Sequence, residues 1–359
     1  MRIRTEPIGS IPRPIELVLG MQAHAAGQIN DRDLQQLFES ALTDTIKRFE
    51  ETGSPVITDG EQTKPSFATY PIAGLKHLDP KGVIIPFADG HTRQLPKITN
   101  GPFQYATYAS SYLEKAKRMT SLPVKQAVIS VSAMSLLYPQ EGIEGYSRDQ
   151  FINDLLMEAE ADIRKSLVAG AYNVQVDFTE ARLALKLDPS GNLLRSFIDL
   201  HNQVLDRFSE EDRKKIGVHS CPGGDHDSTH SADIDYGRLL PLLFKIKANQ
   251  FYLEYAAEKD KPSVLAAIRD NLQPAQTVFL GVTNVLDPRI EKPEEVLETI
   301  LEAASVIPIS QLGTTDDCGF SPFADDVSTA RDTAFAKIKA RIDGTRLAET
   351  ALEKKSVYM

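Results

Sequence analysis

Short apolar runs alternate along the chain with longer stretches whose apolar residues recur every three or four positions. The first kind reads as buried strands, the second as amphipathic helices. Eight runs qualify as strands: residues 3–9, 55–60, 125–131, 172–178, 216–220, 250–255, 278–283 and 309–315. Helical periodicity is clearest at Phe151, Leu155, Ala159, Ile163 and Leu167, which share one face, with Gly170 as a stop. Val296, Ile300 and Ala304 repeat the pattern, and Asp33, Leu34, Leu37 and Ala41 open another. Strands alternating with helices predict parallel pairing through crossover connections. Eight such units predict an α/β fold of the (β/α)8 TIM-barrel type.

One connection departs from that pattern. The second and third strands lie about 60 residues apart, far beyond an ordinary loop. The intervening stretch, about 62–123, holds the apolar piece Val83-Ile84-Ile85-Pro86 and a turn at Asp89-Gly90. It predicts a β-hairpin excursion after the second strand, covering one mouth of the barrel. No linker, repeat or low-complexity tract divides the sequence, so residues 1–359 predict a single domain.

Composition narrows the partners. A net charge of −10 argues against nucleic acid or an anionic membrane surface. No run approaches the roughly 18 apolar residues of a membrane span. The segment Met1 to Ile8 has no signal-peptide apolar block, which makes the cytoplasm the expected compartment. The chain has 2 cysteines, too few for a disulfide framework.

Both cysteines fall at predicted strand exits, Cys221 within Gly217-Val218-His219-Ser220-Cys221 and Cys318 within Asp316-Asp317-Cys318-Gly319. His219 and Cys221 are two apart, so on extended backbone they face the same way. Glu254 ends another apolar run. His219, Cys221, Glu254 and Cys318 make a four-ligand set of the types zinc takes. Structural zinc sites use compact pairs such as Cys-x-x-Cys, so ligands spread over three strands point to a catalytic centre. The competing reading is that each cysteine is a small buried apolar filler. His226 and His230 read as solvated loop histidines more readily than as spare ligands, and Asp316-Asp317 either as acceptors behind a ligand or as plain loop residues.

A second group gathers at other strand ends. Glu61 and Asp177 could hold an ammonium group, act as general acid and base, or pair with a cation such as Lys64 or Arg182. Ile8-Gly9-Ser10 could hold a carboxylate with backbone N–H and hydroxyl donors.

Taken together these residues resemble the catalytic C-terminal barrel of the cobalamin-independent methionine synthase family, over nearly the whole chain. The most specific part is the order His-x-Cys, Glu, Asp-Cys-Gly. The resemblance implies a zinc-dependent methyl transfer to homocysteine. It implies that His219, Cys221, Glu254 and Cys318 hold Zn²⁺, that Ile8, Gly9 and Ser10 hold the substrate carboxylate, and that Glu61 and Asp177 hold its ammonium. The departures lie on the donor side. The chain has no Trp, and Leu136 falls near the family's pterin-stacking indole. Leu286 stands where the family has a catalytic His. Gln62-Thr63-Lys64-Pro65-Ser66 replaces the run after the family's Glu, and Phe178-Thr179-Glu180 follows Asp177. The donor expected from this is a simpler methylated molecule or a methylcorrinoid protein rather than a methylfolate. The alternative is a transferase similar to epoxyalkane:coenzyme M transferase, adding a thiol to an epoxide with the same metal chemistry. An inert zinc or corrinoid-partner protein is a third, non-catalytic reading.

Overall fold

A computed structural model describes residues 2–357. Its centre is a curled parallel sheet of seven strands: Arg4–Thr5, Gln126–Ile129, Val174–Asp177, Ile216–Ser220, Gln250–Leu253, Thr277–Gly281 and Leu312–Thr315. Each lies within or beside a run expected from the sequence. All but Arg4–Thr5 and Thr277–Gly281 are buried at every position, as strands covered on both faces must be. Neighbours follow chain order from Gln126–Ile129 to Leu312–Thr315, and Arg4–Thr5 then pairs with Leu312–Thr315.

The eighth expected strand behaves differently. Residues 55–60 make one parallel bridge, Ile57 with Val124. The Ile11 N–H then donates to the Gly60 carbonyl, and Thr58 Oγ1 donates to the Gly9 carbonyl. Pro55 has no N–H to give a ladder, and the backbone turns left-handed at Gly60 and Glu61. The segment therefore sits beside the Gln126–Ile129 strand without extending the sheet.

Helices cover the outside. Arg148–Val168 buries Phe151, Leu155, Ala159 and Ile163, the face its spacing predicts. Pro293–Ala304 buries Val296, Ile300 and Ala303. Among the described residues no helix is long and apolar enough to cross a membrane.

Inside the sheet lies a buried polar column. Tyr252 Oη donates to Glu6 at 2.6 Å, Lys125 Nζ lies over the Tyr252 ring and donates to Gln175 at 2.8 Å, and Gln175 Nε2 donates to Asp177 at 2.7 Å. Burial costs these groups little because each has a partner. The column ends at Asp177 and so fixes that carboxylate at the strand ends.

In the long connection, Ile84–Pro86 pairs antiparallel with Thr92–Gln94. Arg93 ties this pair to two loops: it donates to Asp225 at 2.5 Å and 3.2 Å and to Asp325 at 2.9 Å and 3.0 Å. The Ala88 N–H donates to the Thr229 carbonyl. Arg93→Ala is expected to loosen this clasp by about 1–2 kcal/mol, the scale of charge-assisted hydrogen bonds at a half-exposed site. Amide exchange at Phe87, Ala88 and Leu95 should quicken while the central strands stay protected; equal protection in both proteins would remove the clasp.

Candidate metal centre and substrate cavity

His219 and Cys221 leave the Ile216–Ser220 strand on one face, and Cys318 leaves Leu312–Thr315 through Asp316-Asp317. The three converge: an imidazole nitrogen and two sulfurs lie within 4.8 Å of one another, all buried. Cys221 Sγ and Cys318 Sγ are 3.0 Å apart and not disulfide-bonded. His219 Nδ1 lies 3.3 Å from the Tyr252 carbonyl, the hydrogen bond that selects the tautomer with a free Nε2. That Nε2 is buried and has no hydrogen-bond partner. An unpartnered buried nitrogen beside two thiols is costly in a dry protein and natural beside a metal ion. The donor set therefore fits zinc.

Backbone supports the sulfurs. The Gly223 N–H donates to Cys221 Sγ at 3.4 Å. Gly223 has φ of +72°, and a Cβ there would lie 1.8 Å from the His230 ring, so only glycine serves. The two thiols titrate apart. A hydrogen bond from Cys221 holds Cys318 well below the usual thiol range against the effect of burial, with His219 adding to it. The same shared proton, together with burial, pushes Cys221 up.

Glu254, the fourth expected ligand, is buried but stands outside this cluster of three. Its Oε2 accepts from Arg182 Nη1 at 2.8 Å. Arg182 also binds Glu258 at 2.7 Å and the Ile234 carbonyl at 2.6 Å. Burial, then the nearby Asp317, push the Glu254 carboxyl up. Asp317 itself accepts three N–H groups, from Tyr255, Ala256 and Ala257, each at 2.8 Å. Asp316 binds Arg341 at 3.0 Å. Both aspartates thus hold the loops that carry the site rather than its ligands.

One cavity borders the cluster. Ile8, Gly9, Ser10, Glu61, Asp177, His219 and Cys318 all line it. Asp177 and His219 are register partners on adjacent strands. Burial raises the Asp177 carboxyl to about 7, with His219 opposing and Glu61 reinforcing. Glu61 is paired with buried Lys64 at 2.9 Å, the ion pair that sequence left as one option. Arg182, the other option, is committed to glutamates elsewhere. Among the described residues lining this cavity there is no Lys or Arg.

A second cavity of about 350 Å³ opens beside the first and shares Phe67, Thr179, Gly223 and Gly224 with it. Its walls are mainly apolar and include Leu136 and Phe323. His230 lies in its wall, 6% exposed, and burial lowers its pKa to about 4. That corrects the expectation of a solvated loop residue: Phe87 and Gly223 pack on it from the long connection and the cysteine loop, contacts remote in sequence. Glu180, whose role sequence reasoning missed, lines the same cavity.

A parallel β/α half-barrel with two thiols and an imidazole gathered at its strand ends defines a barrel-class protein whose clustered donors could hold a metal ion. The comparisons then fix the family. Residues 3–331 match the model of the cobalamin-independent synthase catalytic domain, and the chain belongs to that family. It is 24% identical to a methionine synthase of Sulfurisphaera tokodaii, over 98% of this chain and 94% of that one. A methionine synthase of Sulfolobus acidocaldarius is 23% identical over the same shares, 98% and 94%. Among solved structures, a B12-independent methionine synthase from a Shewanella species, in complex with selenomethionine, is similar with a TM-score of 0.75 at 18% identity, covering 99% of this chain and all of that one. A putative counterpart from Listeria monocytogenes gives 0.71 at 21%, covering 96% and 98%. At these identities the two structures speak for the fold.

Proposed function

We propose that this protein is a zinc-dependent S-methyltransferase, a single catalytic domain of the (β/α)8-barrel type in which residues 55–60 take the place of the eighth strand, that methylates homocysteine to methionine in the cytoplasm. The observation that carries the reading is the shared cavity: Cys318, whose sulfur lies 3.0 Å from that of Cys221, and His219, whose Nε2 is unpartnered, line the same space as Ser10 and Asp177. His219, Cys221 and Cys318 would hold a zinc ion, which when bound would supply the Lewis acidity to ionise a thiol whose free pKa is near ~8.5. Glu254 would be its fourth ligand. Arg182 takes its Oε2, which leaves Oε1 for a metal.

The chain's own groups do the rest. Asp177, set by Gln175 and uncompensated by any lining cation, binds the substrate ammonium. Glu61 flanks it but shares its charge with Lys64, so it contributes less. Ile8, Gly9 and Ser10 receive the carboxylate. The second cavity holds the donor, and the antiparallel pair held by Arg93 covers it. Leu136, with no Trp in the chain, leaves no indole to stack a pterin. A methylcorrinoid protein is one donor compatible with that.

The coenzyme M alternative is disfavoured by charge. A sulfonate needs cationic groups, and this cavity presents two carboxylates. Elemental analysis and calorimetry test the reading. One zinc per chain with binding of homocysteine but not of coenzyme M is the expected result. Zinc with a preference for coenzyme M would transfer the site to the other chemistry, and a metal-free protein after growth with zinc would end the proposal.

A further inference from the structure

The second cavity contains an acidic side chain that the thiol site does not use and that the fold engages through one oxygen only. Glu180 is 6% exposed and lines the wall beside Leu183, Thr179 and Ile129. Its Oε1 accepts two hydroxyls, from Ser130 and Ser132, each at 2.5 Å. Ser132 Oγ lies in turn 3.0 Å from His201 Nε2. These contacts lock the carboxyl in place through one oxygen. The other, Oε2, is buried without a partner. Among the described residues lining this cavity, it is the single buried side-chain polar atom left so.

An orphaned carboxylate oxygen in an apolar chamber is expensive unless a ligand completes it. The remaining charges in the wall are Arg93 and Asp325. Arg93 is already bidentate to Asp325 and bound to Asp225, so its charge is spent. What remains unbalanced is one negative charge. Phe67, Phe87 and Phe323 add aromatic rings, and the Phe323 ring already carries a cation, with Arg93 Cζ at 4.2 Å from its centroid. Carboxylate plus aromatic faces is the environment that binds alkylated cations.

We infer that this cavity binds a methyl-onium donor, a small sulfonium or quaternary ammonium compound, with Glu180 as its counter-ion. The inference rests on the reading of the adjacent site as a thiol methyltransferase. The methyl-transfer step itself moves no proton, because the thiol has already released its own to solvent on forming the thiolate. The thiolate sulfur forms a bond to the methyl carbon, the bond from that carbon to the onium atom breaks, and its electron pair neutralises the leaving sulfide or amine. No acid is needed, which suits a cavity whose histidine, His230, is held neutral by burial.

Glu180→Gln is the informative variant, because the amide oxygen can still accept from Ser130 and Ser132. Binding of tetramethylammonium, an unreactive probe, is measured by calorimetry in the zinc-loaded protein. Tenfold or greater weakening in Glu180→Gln is expected, with homocysteine affinity and melting temperature unchanged. In the unaltered protein, affinity for the probe should also rise with pH until Glu180 ionises, since burial raises that carboxyl. His201 and His230, lowered to about 3 and about 4, titrate below that window, and Asp325 stays ionised beside Arg93. Trimethylsulfonium with homocysteine should give methionine. Equal or absent probe binding in both proteins, or turnover with methylcobalamin or a methylfolate but not with trimethylsulfonium, overturns the onium assignment. Loss of homocysteine binding instead strikes the thiol reading and leaves the probe result to be judged on its own.

Discussion

Cys221→Ser and Cys318→Ser are each expected to lose the zinc and the methyl-transfer activity together, while the fold survives. Serine nearly matches cysteine in size, and both sites are tight: Cys221 is fully buried and Cys318 is 8% exposed. The hydroxyl, however, does not ionise near neutral pH and is a poor zinc ligand. With one sulfur gone, His219 and the remaining thiol offer two of the three clustered donors. The rate should fall roughly a thousandfold or more, since losing a ligand exceeds the 10–100-fold typical of an outer partner. The competing view makes both cysteines apolar fillers. It predicts a melting temperature lowered by a few degrees, with metal and rate intact. Elemental analysis, a melting curve and product formation on the same preparations separate the two.

Much of this site was legible because it stands on strands. A strand buried on both faces is a continuous apolar run, so seven of the sheet's strands could be located from sequence, and the chemistry at their ends with them. Cys221, Cys318, His219, Asp177 and Ser10 required only that each run stop where it does. The segment 55–60 is the instructive exception. Its apolar content reads as a strand, but Pro55 and the left-handed turn at Gly60 and Glu61 confine its pairing to Ile57.

What sequence could not give is the partner of each side chain across the chain. Arg182 meets Glu254 because the helix Ala181–Leu187 follows one strand and overhangs another two strands away. His230 is buried because the long connection folds over the cysteine loop. Glu180 draws its hydroxyl partners from residues 130 and 132, about one strand–helix unit earlier. Each depends on which loops share a cavity, and no local pattern encodes that. A signal did exist for Glu180: a carboxylate three residues past Asp177, in a run that departs from the family, marks a position under different demands.

Asp177→Asn is expected to cost homocysteine affinity and spare the metal. Asp177 is buried, its Oδ1 is fixed by Gln175, and its neighbour Glu61 is already neutralised by Lys64. The charge left to meet an ammonium is therefore that of Asp177. Removing one member of a buried charge pair costs about 2–4 kcal/mol, or roughly 30- to 1000-fold in affinity. Asparagine preserves the contact from Gln175, so the strand ends should not move, and the residue lies outside the clustered donors. Zinc content should remain at the unaltered value. The control is 4-mercaptobutanoate, which keeps the thiol and carboxylate of homocysteine but has no amine. It should bind both proteins alike, because nothing on it engages Asp177. If homocysteine affinity is unchanged, or if the amine-free thiol weakens equally, the ammonium role passes from Asp177, and Glu61 must bind substrate by giving up Lys64.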